Sequence, residues 1–227
     1  VSVKLLPLFR QQVEIDRFDM QRVKLNTSDF VHEARVKGSV GRLSLQSHGI
    51  DWGKQMLKVD DAMLKDADVS VELSDTVPPD TAKTPTYWKI DVRKVLVENT
   101  RAVVHMPGDT LQVAAFLGKA NVKEGFFDLF KNSYTVNSFE LANGSIAYDN
   151  NFKTHTRGII DPNHIALADV SMGVDSLMFQ APRLSLVMRH CAFKEKNGIE
   201  LSDLSGPLSM DSLQLQLPRL TVKTPDS

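Results

Sequence analysis

One cysteine in 227 residues excludes an intrachain disulfide framework. It leaves the compartment open, since many exported proteins carry no disulfides. Nothing approaches 18 consecutive apolar residues, so the chain has no stretch long enough to cross a bilayer as a helix. Lysine and arginine number 27 against 28 acidic residues, a net charge of −1 with no run of one sign, so no electrostatic footprint for nucleic acid or an acidic membrane surface is present. Missing too are His-Glu-x-x-His, a glycine-rich phosphate loop, Gly-x-Ser-x-Gly and paired cysteines, which argues against an enzyme. The 42% hydrophobic content is enough for a folded core and excludes disorder.

What the chain has is a spacing rule, apolar-x-apolar-x-x-apolar-x-apolar, at Phe18/Met20/Val23/Leu25, Ile90/Val92/Val95/Val97, Ile165/Leu167/Val170/Met172 and Leu215/Leu217/Leu220/Val222. At about 100° per residue these offsets scatter around a helix. In a strand, alternation gives each pair one face. One extra residue between the pairs, absorbed as a bulge, returns the second pair to that face and bends the strand. The spacing therefore predicts an all-β chain of curved antiparallel sheets, with at most short helical turns.

The order of blocks repeats as well. Ile90–Tyr148 overlays Ile165–Val222 at an offset near 74 residues, for example Gly125 on Gly198 and Phe139 on Leu213. A weaker copy lies upstream, where Leu43-Ser44-Leu45 matches Leu111-Gln112-Val113 and Val69-Ser70-Val71 matches Ile146-Ala147-Tyr148. Such units stack into elongated arrays with a continuous surface. Residues 1–73 form a first unit, opening with a strand at Val3–Leu6 and a short turn or helical step at Pro7–Arg10. A proline-rich, apolar-poor stretch at 74–86 is a linker. Residues 87–160 and 161–227 are the second and third units. Asn143-Gly144 is a type I′ hairpin signal, Gly125–Phe130 is a possible helical turn, and Asp161-Pro162-Asn163 is a turn. This count gives about five strands per repeat. The start at Val1 and the stop at Ser227 lead us to expect a fragment of a longer chain.

Few residues offer chemistry. His190-Cys191 pairs a thiol with an imidazole, but neighbours on a strand point to opposite faces, and a free cysteine commonly serves as a small buried apolar residue. His32, His48, His105, His155 and His164 lack metal-ligand spacing and are expected to be surface or hydrogen-bonded polar residues. Asp149-Asn150-Asn151 lacks the further acids of a calcium loop and reads as a hairpin turn. No catalytic, metal or cofactor site is expected. The apolar strand face remains, either as the core of a sandwich or as a groove for lipid tails.

Several stretches resemble the amino-terminal region of the TamB family of translocation and assembly module proteins, within the AsmA-like superfamily and in its Bacteroides-type form. They are Leu5-Leu6-Pro7-Leu8-Phe9 with Val13-Glu14-Ile15-Asp16, Phe30–Arg35, Leu73–Asp80, His105–Leu111 and Ser145–Phe152. The resemblance covers nearly the whole chain, and the family has no catalytic residues to carry over. It implies a periplasmic protein held in the inner membrane by an anchor outside this chain, built of repeated curved β units that form an elongated hydrophobic groove, a β-taco. It also implies a role in envelope biogenesis: phospholipid transport between inner and outer membranes, or assembly of outer-membrane β-barrels with an Omp85-type partner. On this reading Ile90, Val92, Phe139, Leu141, Ile146, Ile165, Leu167, Leu184, Leu186, Leu213, Leu215 and Leu220 line or support a trough for phospholipid acyl chains. The rivals are a scaffold that pairs its strand edges with unfolded barrel strands, and a structural solenoid with a filled interior.

Overall fold

A computed structural model describes residues 16–29, 34–73, 88–106, 110–156 and 161–225. The strand expected at Val3–Leu6, the turn or helical step after it and the whole 74–86 linker lie outside the described residues. Within them the fold is all-β, a curved, unclosed twelve-stranded sheet without helices. The strands are β1 (Arg17–Asp29), β2 (Ala34–Asp51), β3 (Met56–Leu73), β4 (Lys89–Met106), β5 (Leu111–Asp128), β6 (Ser133–Asn150), β7 (His164–Gln180), β8 (Arg183–Glu195), β9 (Glu200–Leu201), β10 (Asp203–Met210), β11 (Leu215–Gln216) and β12 (Thr221–Lys223). They follow one another across the sheet in chain order, with β9 and β12 attached beside β8 and β10. All neighbours are antiparallel except β3 and β4, which run parallel.

Strands β2 to β6 are 18 residues each, about three times the usual strand length. They reach that length by bending. Arg22, Asp66, Asn99, Asn143 and Asp169 lie at φ between 46° and 55°, the left-handed region, in the middle of β1, β3, β4, β6 and β7. Pairing on either side places Arg22 opposite Gly41, Asp66 beside Asn99, and Gly118 between Asn99 and Asn143. These residues form one crease running across the sheet. Glycine is required where the crease brings backbones together: a Cβ on Gly118 would stand 2.5 Å from the Asn143 carbonyl oxygen. A second crease runs through Arg93, Glu124, Asn137 and Ser176, with Glu124 and Ser176 at φ 52°. Side chains bridge along both lines, Asn99 Nδ2 donating to Asp66 Oδ1 at 2.6 Å and Asn137 Nδ2 to Glu124 Oε2 at 3.0 Å.

The extra residue in the apolar spacing is thus real, and it is accommodated in two ways. A bulge puts the extra residue in one strand and shifts the pairing, as in β7, where Ala168 and Asp169 face Ser145 of β6 and the register shifts on both sides of the Gly144–Val170 pair. In β1 and β4 both partners bend at the same height instead, and β1–β2, β4–β5 and β5–β6 keep one register from end to end. Three other expectations change for related reasons. Asn143-Gly144 is no hairpin, because β6 runs through it and Asn143 uses its tolerance of positive φ at the crease. Gly125–Asp128 belongs to β5, with the turn beginning at Leu129. A creased strand reads in sequence as two short ones, so about five strands per unit become the three long strands of β1–β3 and of β4–β6. Val69 and Val71 do match Ile146 and Tyr148 in position along β3 and β6, and each pair lies on a common cross-strand row. The later repeat is not a simple translation, since β4 joins its predecessor in parallel and β7 in antiparallel.

The buried apolar residues other than Val103 sit on and beside the strip between the creases. Val92, Leu141 and Val174 are 5%, 3% and 3% exposed, although no second sheet or helix covers them among the described residues. A single layer buries valine and leucine to that degree only by curving around them. The left-handed crease is therefore the element on which burial depends. Asn143→Val places a β-branched residue at φ 55° and is expected to lower stability by about 1–2 kcal/mol, whereas Asn143→Gly leaves it within a few tenths. Urea unfolding of the two variants against the parent measures both.

Candidate functional site

Cross-strand pairing aligns the apolar positions into unbroken rows. One row reads Met20, Leu43, Leu64, Val97, Ala120, Leu141, Met172 and Cys191, one residue from each of β1 to β8. The next reads Phe18, Leu45, Ala62, Val95, Val122, Phe139, Val174 and Met188. At about 4.8 Å per strand, eight strands carry each row over about 34 Å. Towards one rim follow Leu57, Ile90, Phe127, Tyr134, Phe179 and Leu184, in which Tyr134 stacks on Phe179 at 5.7 Å between ring centroids. Towards the other rim lie Val69, Ala102, Ala115, Ile146 and Leu167. Ala120, Leu141 and Val170 form the buried centre, with Val97, Leu117, Phe139, Leu167, Met172 and Phe193 packed against them.

Alternation hands the opposite face to polar residues. Lys65 and Lys119 both reach Glu98, at 3.3 and 3.9 Å, tying β3, β4 and β5 together. Lys94 meets Asp61 at 3.6 Å, and Arg189 bridges Asp175 at 2.7 Å and Glu140. Exposed pairs of this kind contribute about 0–1 kcal/mol each, so their main consequence is to match one register and to keep this face in water.

Nine of the residues expected to line a trough, Ile90, Val92, Phe139, Leu141, Ile146, Ile165, Leu167, Leu184 and Leu186, lie on the apolar face of β4, β6, β7 and β8. Leu213, Leu215 and Leu220 do not join those rows. They lie at the terminal edge, where the fourth copy of the spacing is split between β11 and β12 along β10 and interrupted near Pro218. Their exposures are 92%, 56% and 41%: Leu213 lies in the bend before β11, Leu215 in β11, which has no strand beyond it among the described residues, and Leu220 just before β12. The composition of the spacing signalled the strand; only the pairing shows that no neighbour covers it.

His190 and Cys191 fall on opposite faces. His190 faces Gly173 and lies 3.4 Å from Ser171 Oγ, while Cys191 pairs with Met172 in the apolar row. Burial, with Asp203 adding to it, pushes the Cys191 thiol above its ordinary range. The row also explains why cysteine suits the position, as a small apolar side chain. What sequence reading passed over is a polar cluster at the other rim, where Asp149 at the end of β6, His164 at the start of β7 and His155 between them come together. Their separations in sequence gave no signal, because the turn that assembles them depends on Asp161.

No protein-family model matches the chain, and no curated protein sequence matches it either.

Because the raised thiol holds less thiolate at neutral pH, Cys191 is expected to alkylate with iodoacetamide several-fold more slowly than a free cysteine at pH 7.5. The rate climbs as pH rises beyond the ordinary thiol range and recovers fully in denaturant; mass spectrometry of the modified peptide follows it.

Proposed function

We propose that this chain is a periplasmic segment of a TamB-type, AsmA-like envelope protein that shields lipid acyl chains along its apolar face, for transport of phospholipid between two membranes. The observation that carries this reading is the pair of apolar rows running over eight strands, backed by a polar outer face. Each methylene removed from water is worth about 0.8 kcal/mol, so a 16-carbon chain costs on the order of 12 kcal/mol to expose. A trough about 34 Å long offers continuous cover in which one site passes a tail to the next without a large step in energy. No ion or nucleotide is needed within it. Exposed Trp52, Leu129 and Phe130 on the rim formed by the β2–β3 and β5–β6 turns suit contact with the boundary between tails and headgroups. A membrane anchor, the inner-membrane location and an Omp85-type barrel partner belong to this proposal through the resemblance alone.

A second reading has its own observation. Strand β1 ends the sheet with 13 residues whose far side pairs with no strand among the described residues, a template for β-augmentation by a barrel strand.

The two readings separate experimentally. Native mass spectrometry of the purified chain is expected to show bound phospholipid, and Ile146→Glu, at a position already 36% exposed, to reduce it at least fivefold with little loss of stability. A photocrosslinker at Ile146, exposed on the apolar face, should capture lipid and one at Lys119 should not. Capture of unfolded barrel protein along β1 with no lipid at Ile146 would favour the scaffold and sink the conduit.

A further inference from the structure

We propose that Asp149, His155 and His164 form a binding site for a divalent transition-metal ion of the zinc class, which clips the β6–β7 connection at the rim of the sheet. The two most buried large side chains among the described residues are not apolar. They are His164 and Asp161, each 1% exposed, and both belong to this connection. Burying two polar groups so completely requires a partner for every polar atom. Asp161 is satisfied by backbone: its Oδ2 accepts from Thr156 N–H at 2.8 Å and its Oδ1 from Asn163 N–H at 3.0 Å, and these bonds hold its carboxyl below the ordinary range. Asp161 thereby holds Thr156 and Asn163 close to the start of β7.

His164 is arranged differently. Its Nε2 lies 2.8 Å from the Lys153 carbonyl oxygen, which can only accept, so Nε2 carries the proton. That leaves the Nδ1 lone pair facing Asp149 Oδ1 at 2.7 Å. Two acceptors at that distance share a proton, and a metal ion takes the proton's place once the two atoms open to the roughly 3.3 Å between ligands of one ion. A ring nitrogen that donates to a backbone carbonyl while the other is free is the usual support of a metal-bound histidine. The third donor is in reach. His155, exposed, stacks its ring on His164 at 3.6 Å between centroids, and the donor atoms of all three residues lie within 4.8 Å of one another. Tetrahedral zinc holds its ligands about 3.3 Å apart, so a turn of the exposed His155 ring closes the set. Two imidazoles and a carboxylate, with water in the fourth position, suit zinc, nickel or copper in preference to calcium or magnesium. The second carboxylate, Asp161, adds negative charge that the ion offsets.

The site closes a connection between two long strands, so the effect expected of the ion is to fasten that rim; it stands whether or not the apolar face carries lipid. The test uses the untagged chain stripped of metal with a chelator. Cobalt(II) is expected to bind one per chain, with the visible absorption of a tetrahedral site, and to be displaced by zinc. Zinc at a hundredfold excess over its dissociation constant should raise the melting temperature by about 5 °C. His155→Ala and Asp149→Asn should each weaken cobalt binding at least tenfold, and His48→Ala should leave it unchanged. Because His155 is exposed, its variant should keep the metal-free melting temperature of the parent, which separates lost ligation from lost folding. Binding weaker than about 100 μM, or equal affinity in the parent and both ligand variants, would overturn the proposal.

Discussion

The whole sheet depends on a backbone conformation that most residues avoid. A single left-handed residue in the middle of a strand turns the chain and costs about 1–2 kcal/mol when it is not glycine. Here the position recurs at one height in strand after strand, as Arg22, Asp66, Asn99, Asn143 and Asp169, with Gly41 and Gly118 between them. From β1 to β6 the strands bend together and keep their register through the crease, whereas β7 shifts register there against both β6 and β8. The strain is spread along a line, and side-chain bonds such as Asn99 to Asp66 run along it. Among the described residues, what the crease makes possible is burial without a second layer. Leu141 and Val174 are nearly inaccessible because their own sheet folds around them.

That geometry makes the two faces chemically unequal. After each crease the alternation resumes in phase, so apolar side chains stay on one face across all bent segments of a strand. Fully burying a leucine or valine side chain is worth about 1.5–3 kcal/mol, against at most about 1 kcal/mol for an exposed ion pair such as Lys94–Asp61. Apolar packing therefore decides which face is inside, and the charges only have to agree with it. Cys191 shows the same rule at the level of one residue: its neighbours in the row, and not its adjacency to His190, set its chemistry.

The rim between β6 and β7 follows a different rule. There the connection folds back, and burial falls on His164 and Asp161, whose polar atoms are satisfied one by one by backbone groups and by Asp149. A hydrophobic wall and a rigid polar clasp coexist because the sheet supplies the first by repetition and the connection supplies the second by hydrogen bonding.

The all-β architecture and its bent strands were legible in the residues, because offsets of 0, 2, 5 and 7 place four apolar side chains on one face only in an extended chain with one extra residue. Phe18 to Leu25, Ile90 to Val97 and Ile165 to Met172 all follow this. How neighbours share that extra residue was not legible: a one-sided bulge and a matched crease have the same spacing within a strand and differ only in what lies opposite. For the same reason Asn143-Gly144 looked like a turn, since a residue that tolerates positive φ serves a hairpin or a crease equally. Leu213, Leu215 and Leu220 carry the right pattern in the wrong place, exposed because coverage comes from neighbours. The meeting of Asp149, His155 and His164 was invisible for a related reason, as it rests on a loop pinned by Asp161. Local spacing determined which side chains share a face, because alternation is a property of the strand itself; tertiary pairing alone decided which of those faces is closed and which polar groups meet, because both require atoms far apart in the chain.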